Sequence, residues 1–328
     1  MLYNIFKIIA RLAIRIFCRK IIINKPGILK IKGPVLLACN HPNSFLDSVI
    51  LDTLFQPTVW NLARGDSFIN KKVKQLFFAL KILPVYRTSE GVENISENYK
   101  TFDSCISIFR KKGVVAIFSE GKCINEWHLR PLKKGTARLA LKAWEENLPA
   151  GRQGIPLTVI PVGLNYSSFS RFGKNIFINF GNPIKKENIN MDAADGAKHQ
   201  EFNNLLQEQL EKLVFEIGKK DTEKQKEILS IKISLLKKII LALPAVLGYI
   251  LHFPLYFPIK KYVWKRTFRN DHYDSVMTGI LIFTYPIYLL LIVILLLLTP
   301  ICWWSPLIFF IFPFTAWSYV QVKPQLDK

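Results

Sequence analysis

The sequence predicts an α/β protein: a mostly parallel central sheet flanked by helices, with an N-terminal amphipathic helix and C-terminal membrane helices. Three observations carry this prediction. Apolar runs suited to buried strands alternate with helical patterns between residues 33 and 185. Basic side chains recur every four residues near the start of the chain. The 48 residues of Ser275–Val322 carry no charge at all.

Taken in chain order, Lys7, Arg11, Arg15 and Arg19 fall on one face of a helix over residues 1–20. Leu2, Ile5, Phe6, Ile8, Ile9, Leu12, Ile16 and Phe17 fill the rest of its surface. The charges interrupt the apolar run, where a signal peptide would place them ahead of it. A helix lying in the membrane interface fits the pattern, and a helix packed on its own domain is the alternative. Strands are expected at Pro34–Cys39, Val114–Phe118, Thr158–Leu164 and Ile176–Phe180. Helices are expected near Ser44–Phe55, Lys71–Leu80, Glu97–Lys111 and Lys134–Glu146. Pro149–Pro156 has turn chemistry. Residues 201–230 read as a charged helix with one apolar face.

The remainder reads as membrane. As helix, Ser275–Val322 would run about 72 Å against a hydrocarbon core of about 30 Å, too long for one span and suited to two. A hairpin is expected over residues 277–319, with Trp303 and Trp304 at its turn. Ile239–Ile259 is uncharged but holds Pro244, Pro254 and Pro258, which break helices. Five basic residues follow it over 260–269, a loop that belongs on the cytoplasmic side. Residues 239–259 are therefore expected to be re-entrant rather than a full span. The resulting division is 1–32 membrane-interfacial helix, 33–230 α/β domain with a trailing helix, and 231–328 membrane region.

Composition excludes other classes. The chain has 328 residues, 45 Lys+Arg against 24 Asp+Glu, a net charge of +21, and 50% apolar residues. That much apolar surface rules out disorder as the dominant state. The five cysteines are scattered and odd in number, so they suggest neither a disulfide framework nor a zinc site and read as reduced thiols in the cytosol. Much of the basic excess flanks apolar segments, which points to anionic lipid and away from nucleic acid.

Chemistry concentrates in a few stretches. Cys39-Asn40-His41-Pro42-Asn43-Ser44-Phe45-Leu46-Asp47 follows a buried strand and opens a helix, with Ser44 as candidate N-cap. Asp47 can accept from one imidazole nitrogen of His41 and leave the other to take a proton. The bland alternative is a capping His and a carboxylate stabilised by the helix N-terminus. Ile82–Arg87 ends an apolar run on Arg87, a candidate phosphate clamp or a plain strand end. Phe118-Ser119-Glu120-Gly121-Lys122-Cys123, with Arg130, Lys133, Lys134 and Arg138 beyond it, offers an anion site or a solvated basic face.

Together these stretches resemble the glycerophospholipid acyltransferase family, which includes lysophosphatidate and glycerol-3-phosphate acyltransferases. NHPNSFLD is similar to the family's first block, His-x4-Asp, and LPVYR to the second. FSEGKCINEWHLRPLKKGTARLAL is similar to the third, the EGTR block with its P-x-K-x-G stretch, and Val159-Ile160-Pro161-Val162-Gly163 to the fourth. All four occur in family order within residues 33–165. Two departures stand out: five residues separate His41 from Asp47 where the family has four, and Cys123 stands where EGTR has its arginine. The longer spacing leans toward the glycerol-3-phosphate branch.

The resemblance implies a membrane-bound O-acyltransferase on the cytoplasmic face. It would move a fatty acyl group from a thioester of coenzyme A or acyl carrier protein to a hydroxyl of 1-acylglycerol-3-phosphate. His41 would be the general base and Asp47 its orienter. Arg87, Glu120, Gly121, Lys122, Arg130 and Lys133 would form the substrate site, with Lys122, Arg130 or Lys133 standing in for the missing arginine. No metal and no cofactor beyond the thioester is implied. The alternatives are a glycerol 3-phosphate acceptor or a catalytically silent lipid-binding relative.

Overall fold

A computed structural model of the chain describes residues 2–86, 97–146, 156–300 and 302–326. Its elements run α1 (Leu2–Phe17), β1 (Cys18–Ile23), β2 (Val35–Cys39), α2 (Phe45–Leu54), β3 (Val59–Arg64), α3 (Lys71–Ala79), β4 (Ile82–Val85), α4 (Glu97–Arg110), β5 (Val114–Phe118) and α5 (Gly135–Glu145). They continue with β6 (Thr158–Tyr166), β7 (Lys174–Phe180), α6 (Asp195–Glu211), α7 (Thr222–Leu229), α8 (Leu235–Thr267), α9 (Tyr273–Leu297) and α10 (Ile308–Val322).

Seven strands form one sheet in the order β1-β7-β6-β2-β5-β3-β4. The run β6-β2-β5-β3-β4 is parallel throughout, and β7 pairs antiparallel with β6 while β1 pairs parallel with β7. A mostly parallel sheet must be covered on both faces, and β2 shows why this sequence complies. Leu36 and Ala38 face one side, where α4, α5 and α6 bury Phe109, Trp144 and Phe202. Val35, Leu37 and Cys39 face the other, against Phe17 of α1 and Leu46, Ile50 and Leu51 of α2. All five residues of β2 are at most 1% exposed, and burying each of its leucines contributes about 1.5–3 kcal/mol.

The chain leaves β2 for β3 and β4 on one side, and leaves β5 for β6 and β7 on the other. The carboxyl ends of neighbouring β2 and β5 therefore form a switch point, the place where open α/β sheets bind ligands.

Four features differ from the sequence expectations. The sheet begins at Cys18, so α1 ends at Phe17 and the α/β domain does not start at residue 33. α1 packs on the domain through Tyr3, Ala10, Ile14 and Phe17, and two basic residues border that face: Lys7 Nζ donates to the Pro57 carbonyl at 3.1 Å and Arg11 Nε to that of Thr53 at 2.9 Å. Leu2, Ile5, Ile8, Ile9 and Leu12 are left exposed. The trailing helix is two helices, α6 and α7, parted by a short extended stretch in which Ile217 bridges Trp127. Finally, α8 runs unbroken through Pro244, Pro254 and Pro258. A proline inside a helix frees a carbonyl, and packed neighbours can offset that loss. Tyr288 Oη donates to the Leu251 carbonyl at 2.6 Å, one residue beyond the Ile250 carbonyl that Pro254 leaves without its helical donor. Most of the Pro149–Pro156 stretch lies outside the described residues.

Three helical stretches, Leu235–Thr267, Tyr273–Leu297 and Cys302–Val322, are long and apolar enough to cross a membrane by length and composition. Gly248 lets α8 and α10 approach closely, since a Cβ there would lie 2.1 Å from the Thr315 carbonyl oxygen.

Candidate active site

β2 ends at Cys39, and the next five residues form a loop that delivers His41 to the carboxyl edge of the sheet before α2 starts at Phe45. Asn40 ties that loop down, its amide nitrogen donating to the Leu164 carbonyl at 3.0 Å and its amide oxygen accepting from the Leu164 N–H at 2.7 Å. The imidazole stacks on Phe118 at the end of β5, with ring centroids 4.1 Å apart.

His41 Nδ1 lies 2.9 Å from Asp47 Oδ2. The carboxylate is fully buried and the imidazole is 19% exposed. Asp47 is surrounded by donors, since the Asn43 N–H reaches Oδ2 at 2.9 Å and Tyr166 Oη reaches Oδ1 at 2.6 Å. A buried carboxylate with three donors stays a fixed acceptor, which assigns the imidazole proton to Nδ1. Nε2 has no hydrogen bond to a described residue. Burial, and then the Asp47 charge, push the Tyr166 hydroxyl well above its ordinary pKa, so it remains a neutral donor.

Glu120 sits behind this pair. Oε2 accepts from the His41 N–H and Oε1 from the Arg130 N–H, both at 3.2 Å. Burial raises its pKa while those two N–H groups lower it. Its position is that of a brace between two loops. Gly121 turns with φ +67°, a left-handed conformation suited to glycine. Lys122 and Lys133 are exposed on this rim, and Arg130 is half-buried. Arg130 Nη1 is buried with no hydrogen-bond partner among the described residues. A guanidinium nitrogen in that state suits an arriving anion. Arg87 lies outside the described residues. Among the described residues no group of His, Cys, Asp and Glu is arranged to hold a metal ion.

One expectation changes: Ser44 precedes α2 but makes no side-chain cap; its hydroxyl pairs with His272 Nδ1 at 2.8 Å. Cys123 stands at the position of the missing arginine. It is buried beneath the loop, where Sγ accepts from the Ser44 N–H at 2.9 Å. Residues that the sequence did not single out also reach the site: Tyr166 from β6, and His272, Asp274 and Ser275 from the start of α9. Burial is the leading cause that lowers the His272 pKa; Asp271 opposes it, while Arg64 and His41 add to it. Sequence spacing could not reveal these contacts, because more than a hundred residues separate each of them from the loop it meets.

A family model described as Acyltransferase matches residues 20–165. Glycerol-3-phosphate O-acyltransferase 2 of Saccharomyces cerevisiae (strain ATCC 204508 / S288c) is 33% identical over 88 residues, a stretch spanning 27% of this chain and only 11% of that protein. The solved structure of the 1-acyl-sn-glycerophosphate (LPA) acyltransferase PlsC from Thermotoga maritima superposes with a TM-score of 0.42 at 12% identity, covering 70% of this chain and 82% of that one. The family match runs from within β1 to the end of β6 and encloses His41, Asp47, Glu120 and Arg130. All four motif blocks lie in order inside that region, and over it the chain is similar to the Acyltransferase family.

Proposed function

We propose that the protein transfers a fatty acyl group from an acyl thioester, carried by coenzyme A or acyl carrier protein, to the free hydroxyl of 1-acylglycerol-3-phosphate. The observation that carries this reading is the His41 imidazole, with Nδ1 held by a buried carboxylate and Nε2 left for substrate at the sheet's switch point. An alcohol attacks a thioester poorly until its proton is being removed. Nε2 takes that proton as the hydroxyl oxygen bonds to the thioester carbonyl carbon. Asp47 stabilises the imidazolium that forms, as the aspartate of a Ser-His-Asp triad does. Collapse of the tetrahedral intermediate breaks the carbon–sulfur bond, and the imidazolium returns the proton to the departing thiolate.

Arg130, Lys122, Lys133 and Arg87 are the groups proposed to hold the acceptor phosphate, so that its hydroxyl is presented to His41. The arrangement needs no metal or further cofactor for proton transfer. The basic residues over 260–269, at the end of α8, support placing this site at the cytoplasmic face.

Glycerol 3-phosphate is the second candidate acceptor, favoured by the five-residue spacing between His41 and Asp47 and by the name of the yeast relative, a glycerol-3-phosphate O-acyltransferase. The test is acyl transfer by purified protein in mixed micelles, with palmitoyl-CoA or palmitoyl-acyl carrier protein as donor and each acceptor in turn. Preferential turnover of 1-acylglycerol-3-phosphate supports the first reading, and preference for glycerol 3-phosphate replaces it with the second. A protein that binds these lipids yet turns over neither is the silent relative.

A further inference from the structure

We infer that Asp274, at the first turn of membrane helix α9, is a positioning residue for the His41–Asp47 pair, acting through Asn43; this rests on the acyl-transfer reading above. Asn43 Nδ2 donates to Asp274 Oδ2 at 2.7 Å, and the main-chain N–H of the same Asn43 donates to Asp47 Oδ2 at 2.9 Å. Asp47 Oδ2 is also the atom that holds His41 Nδ1. One asparagine thus connects the membrane helix to the catalytic carboxylate.

The loop is fixed from the same helix at two further points. Ser275 Oγ accepts from the Leu46 N–H at 3.1 Å and donates to the Asn43 carbonyl at 3.2 Å. His272 Nδ1 meets the hydroxyl of Ser44, a residue held at φ +51°. Asp271 Oδ1 accepts from the Asn125 N–H at 3.0 Å, which secures the third-block loop as well.

Asp274 does this as half of a buried ion pair. Its partner is Lys174 at the start of β7, whose ammonium also donates to the Ser168 carbonyl at 2.8 Å. Lys174, Asn43 and Asp47 are 0% exposed and Asp274 is 1% exposed. Replacing a buried pair by apolar residues is often neutral or stabilising, so such a pair is weak support for stability. A carboxylate here does supply what an apolar residue cannot: a fixed acceptor for Asn43. Both charged residues fall outside the matched family region at residues 20–165. Asn43 and Asp47 fall inside it.

Removing Asp274 alone would strand a buried lysine, so the test removes both charges. Lys174→Met/Asp274→Leu lacks the acceptor, whereas Lys174→Met/Asp274→Asn keeps an amide oxygen that can accept from Asn43. The two double variants lose the ion pair equally, so a merely structural role would move them together. Losing one hydrogen bond to the loop should lower kcat about tenfold in the Leu variant relative to the Asn variant, with KM for donor and acceptor within about twofold. Equal kcat in the two folded proteins overturns the inference. Should either fail to fold, Asn43→Ala, which leaves the ion pair whole, must show a comparable loss of kcat at unchanged KM; wild-type kcat there overturns it. His41→Ala run alongside separates this from the underlying reading. An inactive His41→Ala beside unaffected Asn43 and Asp274 variants refutes only the positioning role, whereas an active His41→Ala refutes the reading itself.

Discussion

At the residue scale the site is a single imidazole whose orientation is over-determined. His41→Ala should abolish transfer while the protein still purifies from membranes and melts as wild type, because it removes a base from a partly exposed position; near-normal turnover would refute its role. Asp47→Asn should lower kcat about a thousandfold or more, since an amide in place of the carboxylate favours the wrong tautomer. Tyr166→Phe is the more discriminating change. It leaves Asp47 Oδ1 without the donor that lies 2.6 Å away, yet preserves the ring in the core. About a tenfold fall in kcat with unchanged KM is expected from steady-state kinetics, and no change would reduce Tyr166 to packing. Cys123→Arg does not restore a family phosphate ligand here, because the thiol is 9% exposed and its sulfur accepts from the Ser44 N–H. Forcing a longer, charged side chain under the loop should cost about 1–3 kcal/mol of stability and lower activity, read by thermal melting and the same assay.

At the element scale, α1 shows how pattern and placement part company. Its periodicity was legible, but periodicity alone does not say which face turns inward. The structure turns Tyr3, Ala10, Ile14 and Phe17 onto the domain, with Lys7 and Arg11 hydrogen-bonded at the border of that face, and leaves Leu2, Ile5, Ile8, Ile9 and Leu12 exposed. Ile8 and Leu12 are 58% and 56% exposed, so Ile8→Glu/Leu12→Glu should shift melting in detergent by less than about 2 °C. The same variant should transfer acyl groups more slowly to acceptor presented in vesicles than to acceptor in micelles, if this face enters the interface. An unfolded variant would instead mean that the face is packed. Legibility follows the same division elsewhere. β2, β5 and β6 were readable because strands buried on both faces are continuous apolar runs. β1 was not, because its Cys18-Arg19-Lys20 start continues the helical charge pattern, and β3 was not, because Trp60, Asn61 and Arg64 mix polar with apolar. His41, Asp47 and Glu120 were readable because local motifs carry them. Tyr166 and Asp274 arrive from distant elements and left no local signal.

At the scale of the whole molecule, the C-terminal apolar helices and the α/β domain are joined at two helix ends. The start of α9 meets the loop that carries His41 through Asp274, and the end of α10 meets β1, where Arg19 donates to the Val320 carbonyl at 3.1 and 2.9 Å. α8 touches both: Lys237 near its start reaches Gln321 at 2.8 Å, and Val263 near its end packs on Tyr273 and Met277. Both ends of α8 are therefore held against the helix ends that sit on the domain. Although α8 is long enough to span, this contact pattern and its basic flanks support a helix that starts and finishes on the domain's side. Only α9 and α10 would then cross, with the uncharged turn at Trp303 and Trp304 on the far face. Deleting residues 271–328 should also do more than release a membrane anchor. It strands buried Lys174 without Asp274, so the truncated chain should misfold. Cysteine accessibility tests the topology with little disturbance. Among the five cysteines Cys18, Cys39, Cys105 and Cys123 are buried, and burial raises their thiol pKa values, so only Cys302 needs replacing by serine. Trp303 is 89% exposed and Lys265 is exposed on the last turn of α8, so each accepts a single cysteine. In sealed, right-side-out membranes an impermeant maleimide should label Trp303→Cys and spare Lys265→Cys, which should react only after the membrane is opened. Labelling of both from the same side would refute the hairpin, and labelling of Lys265→Cys alone would place the catalytic site on the outer face.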